Sequence, residues 1–511
     1  MHPSVHARTQ PDKPAYIMAG SGEVVTYREL DERSNQAAQL FRSLGLKRGD
    51  VVAVCLENHA RYLEIAWATQ RTGLYIVCIS SKLTGPEAEY IVRDCGAKVF
   101  ITSIALKSLA EQIGPVLSDL AFFMVGGAVA SWRSWEETCA TMPTTPVSDE
   151  SAGTDMLYSS GTTGRPKGIK AALPADPVDA PKILTQLVRK LYGLDSNAIY
   201  LSPAPLYHAA PLRWCMTVQQ LGGTVIVMES FDPEMALALI EKYRISSAQW
   251  VPTHFVRLLR LPAQVRDRYD VSSLRFAIHA AAPCPVEVKQ QMIDWWGPIV
   301  YEYYAGTEGN GMTTITAAEW LKKKGSVGRA AYGELKICDE SGDPVGPRVE
   351  GAVYFGGTPP FEYHNAPDKT QESRNQHGWS TLGDIGYVDE DGYLFLTDRK
   401  AFMIISGGVN IYPQEIENLL ITHPAVMDVA VVGAPDAEMG EKVVAVVQPV
   451  DFAAADAALA QELMTFARDR LSHVKVPRLI EFTRELPRHP NGKLYKRLLR
   501  DAYWGRQARI V

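Results

Sequence analysis

The chain has 511 residues, 46% of them apolar and 22% charged, and a formal net charge of −6. A single hydrophobic core stops growing at roughly 250–300 residues, so about two to four domains are expected. The composition excludes wholesale disorder, and the acidic balance argues against a nucleic-acid partner, which would show a basic patch or stripe.

The seven cysteines, Cys55, Cys78, Cys95, Cys139, Cys215, Cys284 and Cys338, are scattered, odd in number and without a C-x-x-C pair. That pattern is neither a disulfide framework nor a zinc site and fits a reducing compartment. The first residues lack the charged start and apolar core of a signal peptide. The longest suspicious apolar stretch, 121–132, falls short of the ~20 residues that span a bilayer. The expectation is a cytoplasmic protein with no membrane span. No feature of the chain specifies an oligomeric state, and a homo-oligomer is compatible with it.

Strand and helix signals alternate from the start. Thr26-Tyr27-Arg28-Glu29 is a capping box, and Ala37, Phe41 and Leu44 follow at helical spacing. Residues 51–56 read as a buried strand, 61–73 as a helix, 74–79 as a strand. Thr84-Gly85-Pro86-Glu87 opens a helix ending near Gly96, before a strand at 98–102. Helices between short apolar strands predict βαβ units and a mostly parallel sheet. The pattern resumes with strands at 199–201 and 224–228, a helix after Asp232-Pro233, strands at 274–279 and 299–303, and a helix at about 285–296. Residues 141–153 and 172–181 read as loops. Beyond residue 400 a helix from Pro413, strands at 429–432 and 443–447, a helix across 457–471 and a strand near Leu479 predict a small α+β unit. The fold class expected is α/β: a large N-terminal domain, 1–398, with βαβ-type sheets and helices, and a small α+β C-terminal domain, 399–511. The basic residues Lys493, Lys496, Arg497 and Arg500 read as one solvated helix face, Lys493 apart.

Five segments carry chemistry. In Tyr158-Ser159-Ser160-Gly161-Thr162-Thr163-Gly164-Arg165-Pro166-Lys167-Gly168, spaced glycines free the backbone to curl around a ligand. Successive N–H groups in such a loop form an anion nest, and the hydroxyls and Lys167 add donors for phosphate oxygens. It is not the NTPase P-loop, which needs lysine followed by Ser or Thr. In Tyr301-Glu302-Tyr303-Tyr304-Ala305-Gly306-Thr307-Glu308, a tyrosine face can stack on a purine, Thr307 can donate to phosphate, and Glu308 is a hard oxygen ligand suited to Mg²⁺. In Thr381-Leu382-Gly383-Asp384, a carboxylate can accept from both ribose hydroxyls, and Arg399 can reach ribose and phosphate oxygens. Asp391-Gly392 reads only as a hairpin turn. Ser406-Gly407-Gly408-Val409 reads as a hairpin between apolar arms. Asn491-Gly492 forces a turn that projects Lys493.

Together, in this order, these segments resemble the adenylate-forming superfamily of acyl-CoA synthetases, peptide-synthetase adenylation domains and firefly luciferases. The resemblance runs from His6-Ala7 to Lys493, nearly end to end. It implies that ATP and a carboxylic acid form an acyl-adenylate and that the acyl group passes to a thiol. Ser159, Ser160, Gly161, Thr162, Thr163, Gly164 and Lys167 would hold the phosphates, with Thr162 close to the chemistry. Tyr304 would stack on adenine, Thr307 would contact the α-phosphate, Glu308 would hold magnesium, and Asp384 would bind the ribose. Arg399 matches the arginine at the domain junction. Gly408 would let the thiol arm of coenzyme A pass, and Lys493 would reach the acid and α-phosphate oxygens. The small domain would rotate between the two steps.

Two departures stand out. Ala305 replaces the family's usual glycine, which would narrow the local turn. Ala401, beside Lys400, stands where many members place an Asp or Lys pivot. Leu206-Tyr207-His208 matches the segment before the acyl pocket, where His208 is either a gate or a packed core histidine. The following Ala209-Ala210-Pro211-Leu212 has no acid to hold a substrate ammonium, which argues against an α-amino acid. Ala280, Ala281 and Ala282 match the wall between nucleotide and acyl pocket and leave room for a bulky or long apolar acid. No carrier domain is recognised, so free coenzyme A is the acceptor expected. The alternatives are a stand-alone adenylating enzyme loading a carrier protein, a luciferase-like use of the adenylate, and a regulatory nucleotide-binding protein without catalysis.

Overall fold

The computed structural model describes residues 2–129, 132–159, 166–399, 402–407, 409–488 and 494–505. The chain divides into two compact units. The first comprises Met1–Trp250, Arg260–Ile278 and Pro360–Thr370; the second comprises Val251–Leu259, His279–Pro359 and Gln371–Val511.

In the first unit a six-stranded, all-parallel sheet runs in the order Arg133–Ser134, Ala121–Val125, Ala97–Ser103, Val51–Cys55, Tyr75–Ile79, Thr154–Asp155. Its central strands, VVAVC and YIVCI, are buried at every residue. That is why they read as continuous apolar runs rather than alternating ones. Both capping boxes form: Thr26 with Glu29 opens helix Tyr27–Ser43, and Thr84 with Glu87 opens Gly85–Asp94. The apolar stretch at 121–132 contains the strand Ala121–Val125 of this sheet. A second set of strands runs Ser247–Trp250, Ile199–Ser202, Thr224–Val227, Pro14–Met18, Val24–Thr26, parallel except for the final hairpin. Asp232 caps helix Pro233–Tyr243 by accepting from the Met235 N–H at 2.8 Å.

The second unit contains an antiparallel trio, Val300–Ala305, Met312–Ile315 and Arg329–Tyr332. It also holds an antiparallel four-stranded sheet ordered Glu334–Cys338, Gly351–Gly356, Ser380–Val388, Leu394–Arg399. After residue 400 the α+β segment forms as expected. The long hairpin Val426–Asp436 with Gly440–Pro449 is flanked by Ile404–Ser406, Val409–Ile411 and Leu479–Phe482. Helices Pro413–Leu420 and Ala457–Arg468 close its core over Ile404, Ile416, Val431 and Leu463.

One expectation is corrected. Lys496 is not on a solvated face: it is 6% exposed and pairs with the buried Glu417 at 2.8 Å. That acid also accepts from the Val431 N–H, so the lysine docks the last helix, Lys496–Trp504, rather than facing water. All seven cysteines are free, six buried and Cys284 half-buried. No helix among the described residues is long and apolar enough to cross a membrane.

Among the described residues of the first unit, Arg71 is a buried arginine. Arg71 reaches Asp31 at 3.0 Å, Glu150 at 2.8 Å and the Ser34 hydroxyl at 2.9 Å. Removing one partner of a buried ion pair leaves its countercharges uncompensated. Arg71→Met should therefore lower stability by about 3 kcal/mol. Arg28→Met, whose pair with Asp12 is exposed, should cost under about 1 kcal/mol. Urea denaturation midpoints check the contrast.

Candidate active site

The first unit supplies the base of the hydroxyl-rich loop. Strands Leu157–Ser159 and Lys167–Lys170 pair antiparallel, with Lys167 opposite Ser159 and Gly168 opposite Tyr158. The two ends of segment 160–165 are thus held side by side. The hairpin is tied down from several directions. The Tyr158 hydroxyl donates to Asp94 at 2.6 Å, and Tyr90 donates to the Pro166 carbonyl at 3.3 Å. The Gly168 carbonyl accepts from the His364 N–H at 2.7 Å. Burial, with Asp94 beside it, pushes the Tyr158 hydroxyl far above its usual range, so it remains a donor. Lys167 lies over the Tyr363 ring, 5.2 Å from its centroid. Ser160, Gly161, Thr162, Thr163 and Gly164 lie outside the described residues.

The second unit brings the next two motifs together. Strand Val300–Ala305 delivers Tyr304, whose hydroxyl donates to the Asp384 carboxylate at 2.6 Å. Tyr304 rests on a cluster that includes Val327, Val353 and Phe355. Asp384 is 6% exposed and sits directly opposite Arg399 in the antiparallel pair. The tyrosine expected on adenine, the acid expected on ribose and the arginine of the junction therefore belong to one framework. Leu382 lies close over Gly306: a Cβ there would come within 2.3 Å of its side chain and 2.9 Å of a Glu308 carboxylate oxygen. Thr307 and Glu308 occupy the turn that follows, both half-buried. Ala305 does not narrow that turn. It is still in the strand, opposite Met312, and the turn begins at Gly306.

The segments assigned to the acid are also placed. His208 is the N-cap residue of helix Ala209–Leu221, half-buried, with its ring 4.4 Å from that of Tyr207. The loop before it is knotted by Asn58, which sequence reasoning did not find. Its amide donates to the Ala204 and Met228 carbonyls and accepts from the Leu206 N–H, at 3.1, 2.7 and 2.7 Å. Ala280 is buried, whereas Ala281 and Ala282 are exposed. Ala281 has φ +76°, a left-handed conformation that costs a residue with a Cβ about 1–2 kcal/mol.

Lys400, Ala401, Gly408 and Lys493 lie outside the described residues. What flanks Lys493 is defined: Arg488 and Leu494 form an antiparallel bridge, and the Tyr495 N–H donates to the Pro487 carbonyl at 2.8 Å. Arg488 pairs with Asp428 at 2.9 Å, and Lys496 with Glu417.

Paired strands flanking the glycine- and hydroxyl-rich segment, a tyrosine–aspartate pair and a small C-terminal α+β segment are the features of an adenylate-forming enzyme. The chain belongs to the AMP-binding enzyme family. That family's model matches residues 4–361, and the model of the AMP-binding enzyme C-terminal domain matches residues 415–493. The chain is similar to the feruloyl-CoA synthase of Amycolatopsis sp, 32% identical over 497 residues, 97% of this chain and 96% of that protein. It is equally similar to the fatty acid–[acyl-carrier-protein] ligase ScoC of Streptomyces coeruleorubidus, 32% identical over 532 residues, 99% of this chain and 97% of that one. Among solved structures it resembles the anthranilate CoA ligase AuaEII in complex with anthranoyl-AMP. The TM-score is 0.85 at 26% identity, covering 98% of this chain and 96% of that chain.

The Tyr304–Asp384 bond gives a direct test. Tyr304→Phe keeps the ring and the packing but releases a carboxylate from its donor. The KM for ATP in pyrophosphate exchange should rise about tenfold, the equivalent of about 1.4 kcal/mol. The melting temperature should fall by no more than about 3 °C.

Proposed function

We propose that this chain is an ATP-dependent acyl-CoA ligase that activates an apolar carboxylic acid as an acyl-adenylate and transfers the acyl group to coenzyme A. The observation that carries this reading is the Tyr304–Asp384–Arg399 framework, supported by the hairpin beneath segment 160–165.

The acid and the triphosphate are both anions, so the first requirement is positive charge and fixed orientation. Lys167 and the backbone donors of segment 160–165, including Thr162 and Thr163, hold the β- and γ-phosphates. Tyr304 and Asp384 fix the nucleoside, and Thr307 contacts the α-phosphate. Lys493 neutralises the oxygens that acquire charge as the carboxylate attacks the α-phosphorus and pyrophosphate leaves. Glu308, a single carboxylate on a half-exposed turn, fits a magnesium ion shared with substrate phosphates. Such an ion would neutralise phosphate charge. In the second step the thiol attacks the acyl carbon, the acyl–phosphate bond breaks and AMP departs. Residues 399–511 form the mobile domain that presents Lys493 in the first step and the Gly408 segment in the second, with the enzyme working in the cytoplasm.

His208, Ala280 and Ala282 shape the acyl side. Small residues there and the absence of an acid after His208 favour a bulky or long apolar acid, aromatic or aliphatic. Relatives named for feruloyl-CoA and for fatty acids support both kinds. The equal similarity to ScoC supports a second reading, in which a carrier protein is the acceptor.

The decisive experiment separates the half-reactions. Lys493→Ala should reduce acid-dependent pyrophosphate exchange by about 10²–10³-fold, the range for losing one charge-stabilising group. The same variant should convert synthetic acyl-AMP and coenzyme A to thioester within about threefold of the unaltered enzyme. Equal loss in both steps would refute the division of labour. An acid panel with ATP and coenzyme A, read by thioester mass, identifies the substrate; thioester only on a carrier protein would establish the second reading.

A further inference from the structure

The second unit also holds a cluster of ionisable groups that the mechanism does not use. Lys289 and His279 are both 0% exposed, and Glu302 is 5% exposed. The Lys289 ammonium donates to Glu302 Oε2 at 2.5 Å, and His279 Nε2 lies 3.4 Å from the same oxygen. The ammonium also sits 4.9 Å from the centroid of the Trp320 ring. Phe255 packs edge-on against the imidazole, 5.5 Å between centroids. Burial holds His279 well below its ordinary range and neutral, while burial pushes Glu302 up against the pull of Lys289. Neither imidazole nitrogen of His279 has a hydrogen-bond partner among the described residues, so the neutral ring meets the Glu302 oxygen by packing alone.

The chain path gives these groups a purpose. His279 ends strand Phe276–His279 and is followed at once by Ala280 and the left-handed Ala281. Lys289 lies in the first turns of helix Val286–Trp296, just beyond the same loop. Residues 280–285 are therefore tied to Glu302 at one end by Lys289, while at the other end the His279 ring packs beside the same carboxylate. Glu302 in turn precedes Tyr304 by two residues, on the same face of strand Val300–Ala305. A buried ion pair is weak evidence for stability, because apolar residues of similar volume often do as well. Its placement between two walls of a binding site is what calls for an explanation.

We propose that Glu302 is a positioning residue: held by Lys289 and packed against His279, its carboxylate locks the 280–282 segment to the strand that presents Tyr304, Thr307 and Glu308, and so sets the affinity for the nucleotide. The inference rests on the reading that these segments bind ATP. It adds a residue that touches neither substrate nor metal and acts through the backbone that presents those that do.

The test uses the full chain and four proteins: unaltered, Glu302→Gln, Lys289→Met, and the double variant Lys289→Met/Glu302→Gln. The double variant removes both charges together, so it leaves no orphaned ion and should melt within about 3 °C of the unaltered protein. It should nevertheless bind ATP about tenfold more weakly by calorimetry. Its KM for ATP should rise by the same factor, while its KM for coenzyme A with synthetic acyl-AMP stays unchanged. A well-folded double variant with unaltered ATP affinity would make the cluster purely structural and overturn the proposal. If the double variant does not fold, Glu302→Asp keeps the charge but withdraws it by one methylene. A severalfold loss of ATP affinity in that variant supports the proposal and an unchanged affinity overturns it. Failure of the unaltered protein to bind ATP would instead overturn the nucleotide reading itself.

Discussion

A carboxylate and a triphosphate repel one another, and an adenylate-forming site has to offset that repulsion. Donors can offset it only if they are already in place, because charges and dipoles that must reorganise during the reaction lose most of their advantage. Rigidity beneath the donors is therefore as necessary as the donors. The strands that flank the hydroxyl-rich segment pair with one another, and Tyr158 on one of them is bonded to Asp94, in helix Gly85–Asp94. The nucleoside group stands on antiparallel strands, with Tyr304 bonded to Asp384 and Gly306 yielding the space for Leu382. In both places a short, charge-assisted bond to a carboxylate joins elements distant in sequence.

Acids recur as fasteners elsewhere. Glu302 holds Lys289, and Glu417 gathers Lys496 and the Val431 N–H. Each is buried, and each needs a partner to tolerate burial. A carboxylate has two oxygens and about four lone-pair sites, so it can receive from more than one element at once. A hydrocarbon side chain fills space equally well, but it does not fix the angle between two strands or two loops. A protein that must position reacting groups has reason to keep such acids, even where apolar replacements would leave stability intact.

The sequence revealed the chemistry more clearly than the scaffold, for a physical reason. Phosphate cradling needs glycines, hydroxyls and a lysine within a few residues of one another, and the Tyr304 and Asp384 segments are likewise contiguous. Their fasteners are not. Asn58 bonds to carbonyls 146 and 170 residues away, and Tyr158 meets Asp94 across 64 residues. No local pattern announces such pairs. Parallel strands such as Val51–Cys55 were visible because both faces are buried. The ends of the hairpin Val426–Asp436 and Gly440–Pro449 were not, because Gly433 and Pro435 dilute the apolar signal while the ladder continues. Lys496 was misread because a lysine on an amphipathic helix normally faces water, and its partner Glu417 lies on a different helix.

That last misreading bears on how a lysine on a small domain can act at all. A side chain on a free tail samples many positions, and ordering it at the moment of reaction would carry an entropic cost. Here the ends of segment 489–493 are joined before any substrate arrives. Arg488 bridges Leu494, Tyr495 bonds back to Pro487, and the ion pairs Arg488–Asp428 and Lys496–Glu417 bind both sides of the segment to the same sheet-and-helix core. Trp504 continues the attachment by donating to the Gly433 carbonyl at 2.9 Å. Both flanks of the segment are therefore tied to one core. If residues 399–511 turn between the half-reactions as proposed, a lysine carried between flanks fixed in advance would not have to be ordered afresh in each one.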